Sequence, residues 1–213
     1  MAEKNEEKNV THSYAVQDAL NYLKQNTKKR NFVQSFDLIV NIKNLDLRKP
    51  ENKFSKEVQL PHGRGKDVEV CIISDNIDGA ISKMDIDGMG KKEIRKIIRS
   101  NEFFISEAPL MPHIGKVLGR YLGPVGKMPS PFPANMKDVT QLVNVKKNSV
   151  RIKVRDSPNI QVPVGTETMD QAEIEENIKA AVAAIESALP KGKNQFKDVQ
   201  LKLSMGKPVK LTI

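Results

Sequence analysis

The sequence predicts an α/β fold of two domains. A βαβ insert interrupts a split α+β domain, whose antiparallel sheet and helices come from the N- and C-terminal segments. Apolar residues alternate at Phe36, Leu38, Val40 and Ile42, and again at Val199, Leu201, Leu203 and at Val209, Leu211, Ile213. Such alternation marks half-buried strands at both ends of the chain. Between them, Val68–Ile73 and Phe103–Ser106 are compact apolar runs followed by helical material, as in parallel βαβ units. Junctions rich in Gly, Pro and charge, Pro61–Lys66 and Arg155–Pro158, separate the two patterns. The expected domains are therefore 1–66 with 155–213, and the insert 67–154.

The elements follow in order. Val16, Leu20 and Leu23 share one face of a helix expected over Tyr14–Lys24, with Ser13 as its N-cap. The cations Lys28, Lys29 and Arg30 end it, the Phe36–Ile42 strand follows, and Lys56–Leu60 reads as a shorter one. In the insert, Ile94, Ile97 and Ile98 line one helical face while Lys91, Lys92, Arg95, Lys96 and Arg99 crowd the rest. Such crowding is ordinarily a solvated face. Further helices are expected over Leu110–Leu118 and Lys137–Val145, then a strand carrying Val150, Ile152 and Val154. Val162 and Val164 suit a strand, and Ile174, Ile178, Val182, Ile185 and Leu189 recur at helical spacing until Pro190 and Gly192.

Composition narrows the function classes. The net charge of +9 and pI near 9.5 favour a polyanionic partner. No apolar run reaches the roughly 18 residues that span a bilayer. Residues 1–10 lack the apolar core of a signal peptide, and a basic amphipathic helix with bulky anchors is missing, so no membrane partner is expected. The single cysteine, Cys71, lies in an apolar run and reads as a buried thiol of a reducing, cytoplasmic protein. His12, His62 and His113 are scattered, so no metal is expected. Met84–Gly88 resembles a calcium loop, but its Gly comes too early and Lys96 stands where the closing Glu belongs. No cofactor is expected either.

The densest motif is Gly119-Arg-Tyr-Leu-Gly-Pro-Val-Gly-Lys-Met-Pro129. Three glycines and two prolines predict a rigid loop rather than a helix or central strand, with Arg120 and Lys127 flanking bare backbone. It is not a phosphate-binding P-loop: Tyr121 occupies the first Gly position and Met128 the hydroxyl position. Gly123–Gly126 matches the GxxG clamp of KH domains, but over only a few residues and with no charge inside it. A nucleotide-binding enzyme built on the insert is the alternative reading. Val68–Ile73 is followed by Ser74-Asp75-Asn76 instead of a Gly-rich phosphate loop, which weighs against it.

The run Leu122–Pro129 resembles the signature of the L-one family of large-subunit ribosomal proteins, most closely its archaeal form, which shares the continuation Pro131–Pro133. Lys29-Arg30-Asn31-Phe32 leading to Ser35-Phe36, Leu60–Gly65 and Ser204-Met205-Gly206 match as well, in the right order. The resemblance implies a split RNA-binding domain and a Rossmann-like insert. It further implies a structural, non-enzymatic protein that binds large-subunit rRNA at the mobile stalk beside the exit site. There the family assists release of deacylated exit-site tRNA, and it represses its own mRNA through a similar RNA structure.

The expected RNA contacts are Lys29, Arg30, Phe32, Ser35, Asp156, Ser204, Met205, Gly206 and Lys207. Secondary RNA or hinge contacts are Arg64, Arg120, Gly123, Gly126 and Lys127. Off the ribosome a cytoplasmic monomer is expected. The chain departs from the family in Ser204 and Lys207, where Thr and Pro are common, in Val125, where Arg is common, and in a shorter 74–101 stretch. Low aromatic content, 5% with no Trp, favours recognition of RNA shape over base stacking.

Overall fold

A computed structural model describes residues 13–212 except 50, 51, 78, 135 and 137. The elements, in chain order, begin β1 (Ser13–Tyr14), α1 (Val16–Asn26), β2 (Ser35–Ile42), β3 (Phe54–Gln59) and β4 (Val70–Ile73). Next come α2 (Lys83–Gly88), α3 (Lys91–Ser100), β5 (Phe103–Glu107), α4 (Met111–Val117), α5 (Gly119–Val125) and β6 (Ser130–Phe132). The chain closes with α6 (Thr140–Lys147), β7 (Ser149–Val154), β8 (Asn159–Thr166), α7 (Gln171–Ala188), β9 (Phe196–Leu203) and β10 (Val209–Leu211). The fold is mixed α/β, and the described residues form two compact units, one running to Gly65 and resuming at Val150, the other Lys66–Ser149. No described helix is long and apolar enough to cross a membrane.

The first unit is built on a five-stranded sheet of order β1-β10-β9-β2-β8, antiparallel except for the β1–β10 pair. Phe36, Leu38, Val40 and Ile42 point every second residue into the core, as period-two patterning requires. Helix α1 covers them with Ala19, Leu20 and Leu23, and α7 with Ile174, Ile178, Ala181 and Ile185. Helix α1 starts later than its expected Ser13 N-cap. Ser13 and Tyr14 instead pair with Lys210 and Leu211, and the N-cap position falls to Ala15. The strand assigned to the end of the insert is also a correction. Val150, Ile152 and Val154 of β7 are buried in the first unit's core, where β7 pairs with β3. Its charged positions, Arg151 and Lys153, alternate outward, and Arg151 reaches Glu57 on β3 at 2.6 Å.

The second unit holds a parallel sheet of order β4-β5-β6. Every residue of the central β5 is buried, as expected for a parallel strand covered on both faces. Cys71, Ile73 and Phe104 pack on one side with Ile94, Ile98, Ile114 and Leu122. Ile105, Phe132 and Val139 pack on the other. Burial pushes the Cys71 thiol up to about 11, which keeps it protonated and unreactive. Among the described residues, the 74–101 stretch holds α2 and α3, and Ile81 forms a parallel bridge with Ile73. Helix α6 begins at Thr140, and the expected start at Lys137 lies outside the described residues.

The glycine–proline segment is not the loop expected. Gly119–Val125 is helical, and Pro124 lies in its last turn. Burial of Leu118 and Leu122 against Phe104 and α3 outweighs the weak local propensity. Gly126, at φ 74°, ψ 31°, then closes the helix in the left-handed region. Its N–H meets Leu122 O at 2.9 Å, and the Lys127 N–H reaches the same carbonyl at 3.0 Å, a Schellman-type closure.

Candidate nucleic-acid interface

Strands β8 and β9 finish, and β2 begins, at one end of the first unit's sheet, with Ser35 opposite Thr166 and Phe36 opposite Leu203. Three connections meet there: residues 27–34 after α1, the 166–169 turn after β8, and the 204–207 turn after β9. Backbone bonds tie them into a fixed shape. Ser204 N–H donates to Ser35 O at 3.0 Å, and Ser35 N–H donates to Ser204 Oγ at 3.2 Å. The two serines expected to contact RNA thus also hold one another.

Around that lock, the apolar side chains face outward. Phe32 is 52% exposed and Met205 60% exposed, so neither belongs to the core. Exposed apolar side chains gathered at one end of a sheet offer a partner apolar surface to cover. Lys28, Lys29, Arg30 and Lys207 are exposed beside them. Gly206 is required for space rather than for a special φ: a Cβ there would stand 2.9 Å from Thr27 Oγ1 and 3.4 Å from Leu203 Cβ. It lets the turn lie directly on the end of α1.

Two buried amides, neither singled out in the sequence, organise this end. Gln34 is 1% exposed; its N–H donates to Glu167 Oε1 at 3.2 Å, and its Oε1 accepts from Met205 N–H at 3.4 Å. Asn177 on α7 is fully buried and accepts from His62 N–H at 3.1 Å. Its Nδ2 donates to Gly63 O at 2.8 Å and Val164 O at 2.9 Å. That amide explains the Leu60–Gly65 motif, which α7 clamps onto strand β8. Gly63 and Gly65 take positive φ, and a Cβ on Gly65 would stand within 3 Å of Thr166 Oγ1 and the Met169 side chain. The available signal was an Asn placed beside Ile174 and Ile178 on an otherwise apolar helix face.

Charge on the open sheet face is mixed. Asp37 pairs across from Lys202, and burial raises its carboxyl above the usual range while Lys202 and Arg64 pull the other way. Asp198 is held below that range, chiefly by the Asn41 amide at 2.8 Å.

The structure does not bring every expected residue to the sheet end. Asp156 lies in the turn before β8, next to Asn159, which pairs with Asn41. Seven residue steps along β8 separate Asn159 from Thr166, roughly 23 Å. Arg64 follows the Asn177 clamp, near Asp37. Arg120, Gly123, Gly126 and Lys127 belong to the second unit. There Arg120 lies over the neighbouring Tyr121 ring at 4.8 Å. Lys127 points inward, its Nζ donating to Ile98 O at 2.7 Å and Asn101 O at 2.8 Å. It therefore closes the C-terminus of α3, where a cation also meets the helix dipole.

The place where an α/β sheet takes a nucleotide, beyond the carboxyl ends of parallel strands, is filled in the second unit. Glu107, 4% exposed at the end of β5, accepts from Ser74 Oγ and from Asn76 Nδ2. A phosphate arriving there would meet a buried carboxylate.

Comparison with known proteins shows the family. Residues 23–207 match the model of the ribosomal protein L1p/L10e family. The chain is 42% identical over 205 residues to large ribosomal subunit protein uL1 of Pyrococcus horikoshii, covering 91% of this chain and 94% of the relative. It is 39% identical over 208 residues to that of Methanothermobacter thermautotrophicus, covering 92% and 98%. Against the Methanocaldococcus jannaschii protein the identity is 41% over 208 residues, covering 92% and 94%. Match length, identity and the order of the motifs agree: the chain belongs to the ribosomal protein L1p/L10e family.

Proposed function

We propose that this protein is a structural component of the large ribosomal subunit that binds its rRNA through the sheet end of the first unit. The observation that carries the reading is the pair of exposed apolar side chains, Phe32 and Met205, fixed beside exposed cations by the Ser35–Ser204 lock. Lysine and arginine neutralise phosphates, while the lock holds backbone and hydroxyl groups where a 2′-OH or phosphate oxygen can meet them. Phe32 and Met205 then cover ribose or base surface. Lys29, Arg30, Gly206 and Lys207 complete the contact, and Arg64 adds a cation on the adjoining face. Asp156, at the far end of β8, belongs to this contact only if the RNA runs along the sheet.

The finer assignment follows the family resemblance. The rRNA target is the mobile stalk beside the exit site, where the protein assists release of deacylated tRNA. A similar fold in its own mRNA is a second target, through which it represses translation. The setting is the cytoplasm, with a monomer off the ribosome. The relatives are named as ribosomal proteins and not as enzymes, and among the described residues the carboxyl ends of β4 and β5 offer no phosphate loop, so the nucleotide-enzyme alternative has no support.

The test is binding of the full chain to large-subunit rRNA, with Phe32→Ala/Met205→Ala alongside. Losing those two surfaces should weaken binding at least tenfold, by the burial energy of large apolar side chains, while the melting temperature stays put. Equal binding by the double variant rejects the sheet end as the grip.

A further inference from the structure

Helix α3 carries five cations, Lys91, Lys92, Arg95, Lys96 and Arg99, all exposed. Among the described residues none of the five makes an ion pair or side-chain hydrogen bond. The helix's single carboxylate, Glu93, is turned back to accept from Gly90 N–H at 2.9 Å. Four net positive charges of the chain's nine thus stand on ten residues with no internal counterpart.

The face is also rigid. Ile94 and Ile98 anchor it in the core. Its first turn is closed by Glu93, and its last by the Lys127 ammonium on Ile98 O and Asn101 O. The Asn101 amide adds a bond to Ile97 O at 3.0 Å. A helix fixed at both ends presents its cations without further ordering cost. Lys91, Arg95 and Arg99 form one row and Lys92 and Lys96 another, with successive members about 6 Å apart along the axis.

We infer that this face of α3 is a second RNA-binding surface, which takes the phosphate backbone of a double-helical RNA segment without reading its sequence. The inference rests on the ribosomal reading above and extends it to the second unit. Met84 of α2, 86% exposed, borders the Lys96 side of the helix. Helix α3 itself exposes no large apolar residue, and protein interfaces centre on clusters of apolar or aromatic anchors while their cores are depleted of lysine, so a protein partner is disfavoured. Repeated single charges on a stiff support are what a phosphate backbone requires.

The test uses the full chain with two probes, purified large-subunit rRNA and a short, perfectly paired RNA duplex. It compares Lys92→Gln/Arg95→Gln/Arg99→Gln with Lys43→Gln/Lys53→Gln/Lys191→Gln, which removes the same charge from exposed sites elsewhere. Thermal melts check that both variants stay folded. For the α3 variant, the slope of log affinity against log salt should fall by about 2 to 3, and duplex affinity roughly tenfold or more, with the control unchanged. Met205→Ala should leave duplex binding intact. If the α3 variant and the control behave alike while the wild-type chain binds rRNA, this inference fails alone. If the wild-type chain binds no large-subunit rRNA, the ribosomal reading falls and this inference with it. If polyglutamate displaces neither RNA from the wild type but binds in an α3-dependent way, the partner is an acidic protein and the inference is overturned.

Discussion

The turn Ser204–Lys207 and the segment Gly119–Lys127 look alike in sequence, each joining glycine to a cation, and the fold uses them in opposite ways. In the first, Gly206 presses the turn onto Thr27, so Met205 is pushed outward beside exposed Lys207. In the second, Gly126 closes a helix and turns Lys127 inward onto the carbonyls of α3. Glycine beside a cation is thus no binding signature by itself. What sets Lys127 apart is that its ammonium reaches two carbonyls at a helix end. In the segment that is loudest in sequence, Leu122, Gly126 and Lys127 work as internal support while Arg120 and Gly123–Val125 stay exposed, and the quieter turn carries Met205 and Lys207 on its surface.

The largest test of this contrast removes the support of the exposed side. Asn177→Leu leaves His62 N–H, Gly63 O and Val164 O without their buried partner, which should cost about 3–5 kcal/mol. Urea unfolding followed by circular dichroism measures it. A cost under about 1 kcal/mol would mean that water replaces the amide and that the clamp does not hold the Leu60–Gly65 segment.

Next in size is Lys127→Met, which keeps the aliphatic stem and removes two charge-assisted bonds. The expected cost is about 2–3 kcal/mol, together with faster hydrogen exchange at the end of α3. Affinity for a short rRNA fragment that engages only the sheet end should stay within about twofold, since no phosphate contact is lost. A large drop in affinity for intact large-subunit rRNA, at unchanged stability and unchanged exchange in α3, would return Lys127 to the RNA-contact set.

These tests also mark how far the sequence could be read. Strands β2, β9 and β10 and helix α7 were legible because each buries one face, and one-faced burial writes its period into the residues. The two-domain α/β plan followed from them. Helix α5 was not legible, because Gly119, Gly123 and Pro124 speak against helix locally and only the burial of Leu118 and Leu122 overrides them. The membership of β7 in the first core was equally hidden, since Val150, Ile152 and Val154 alternate in the same way whichever sheet receives them. At the site, Ser35, Ser204, Met205 and Gly206 were named from the resemblance and do converge. Gln34 and Asn177 were passed over because a buried amide is recognised by its partners, which are distant in sequence.

A smaller effect compares the two glycines directly. At Gly206 an added methyl meets Thr27 Oγ1 and Leu203, so Gly206→Ala should cost about 1–2 kcal/mol and weaken RNA binding by shifting Met205. At Gly123 a Cβ would meet nothing within 4 Å, and the residue is helical. Gly123→Ala should therefore stabilise the second unit by about 0.5–1 kcal/mol. If Gly123→Ala instead lowers rRNA affinity, RNA approaches that backbone closely, and the helix has a contact role beside its structural one.

The smallest effect is one of charge. Burial raises the Asp37 carboxyl above its ordinary value against the opposing pull of Lys202 and Arg64. Between the unfolded value and that raised value the folded protein binds more protons than the unfolded chain, so stability falls as pH rises through the window. Asp198 behaves oppositely: with its carboxyl lowered by the Asn41 amide, it loses stability as pH falls through its folded value. Asp37→Asn should remove the first slope, gaining more stability over wild type at neutral pH than at pH 4, and should leave the acid limb due to Asp198. Urea midpoints for both proteins across that range read the difference. If Asp37→Asn is instead destabilising at neutral pH, the attraction of Arg64 and Lys202 outweighs burial, and Asp37 orders those two cations on the face that adjoins Ser35.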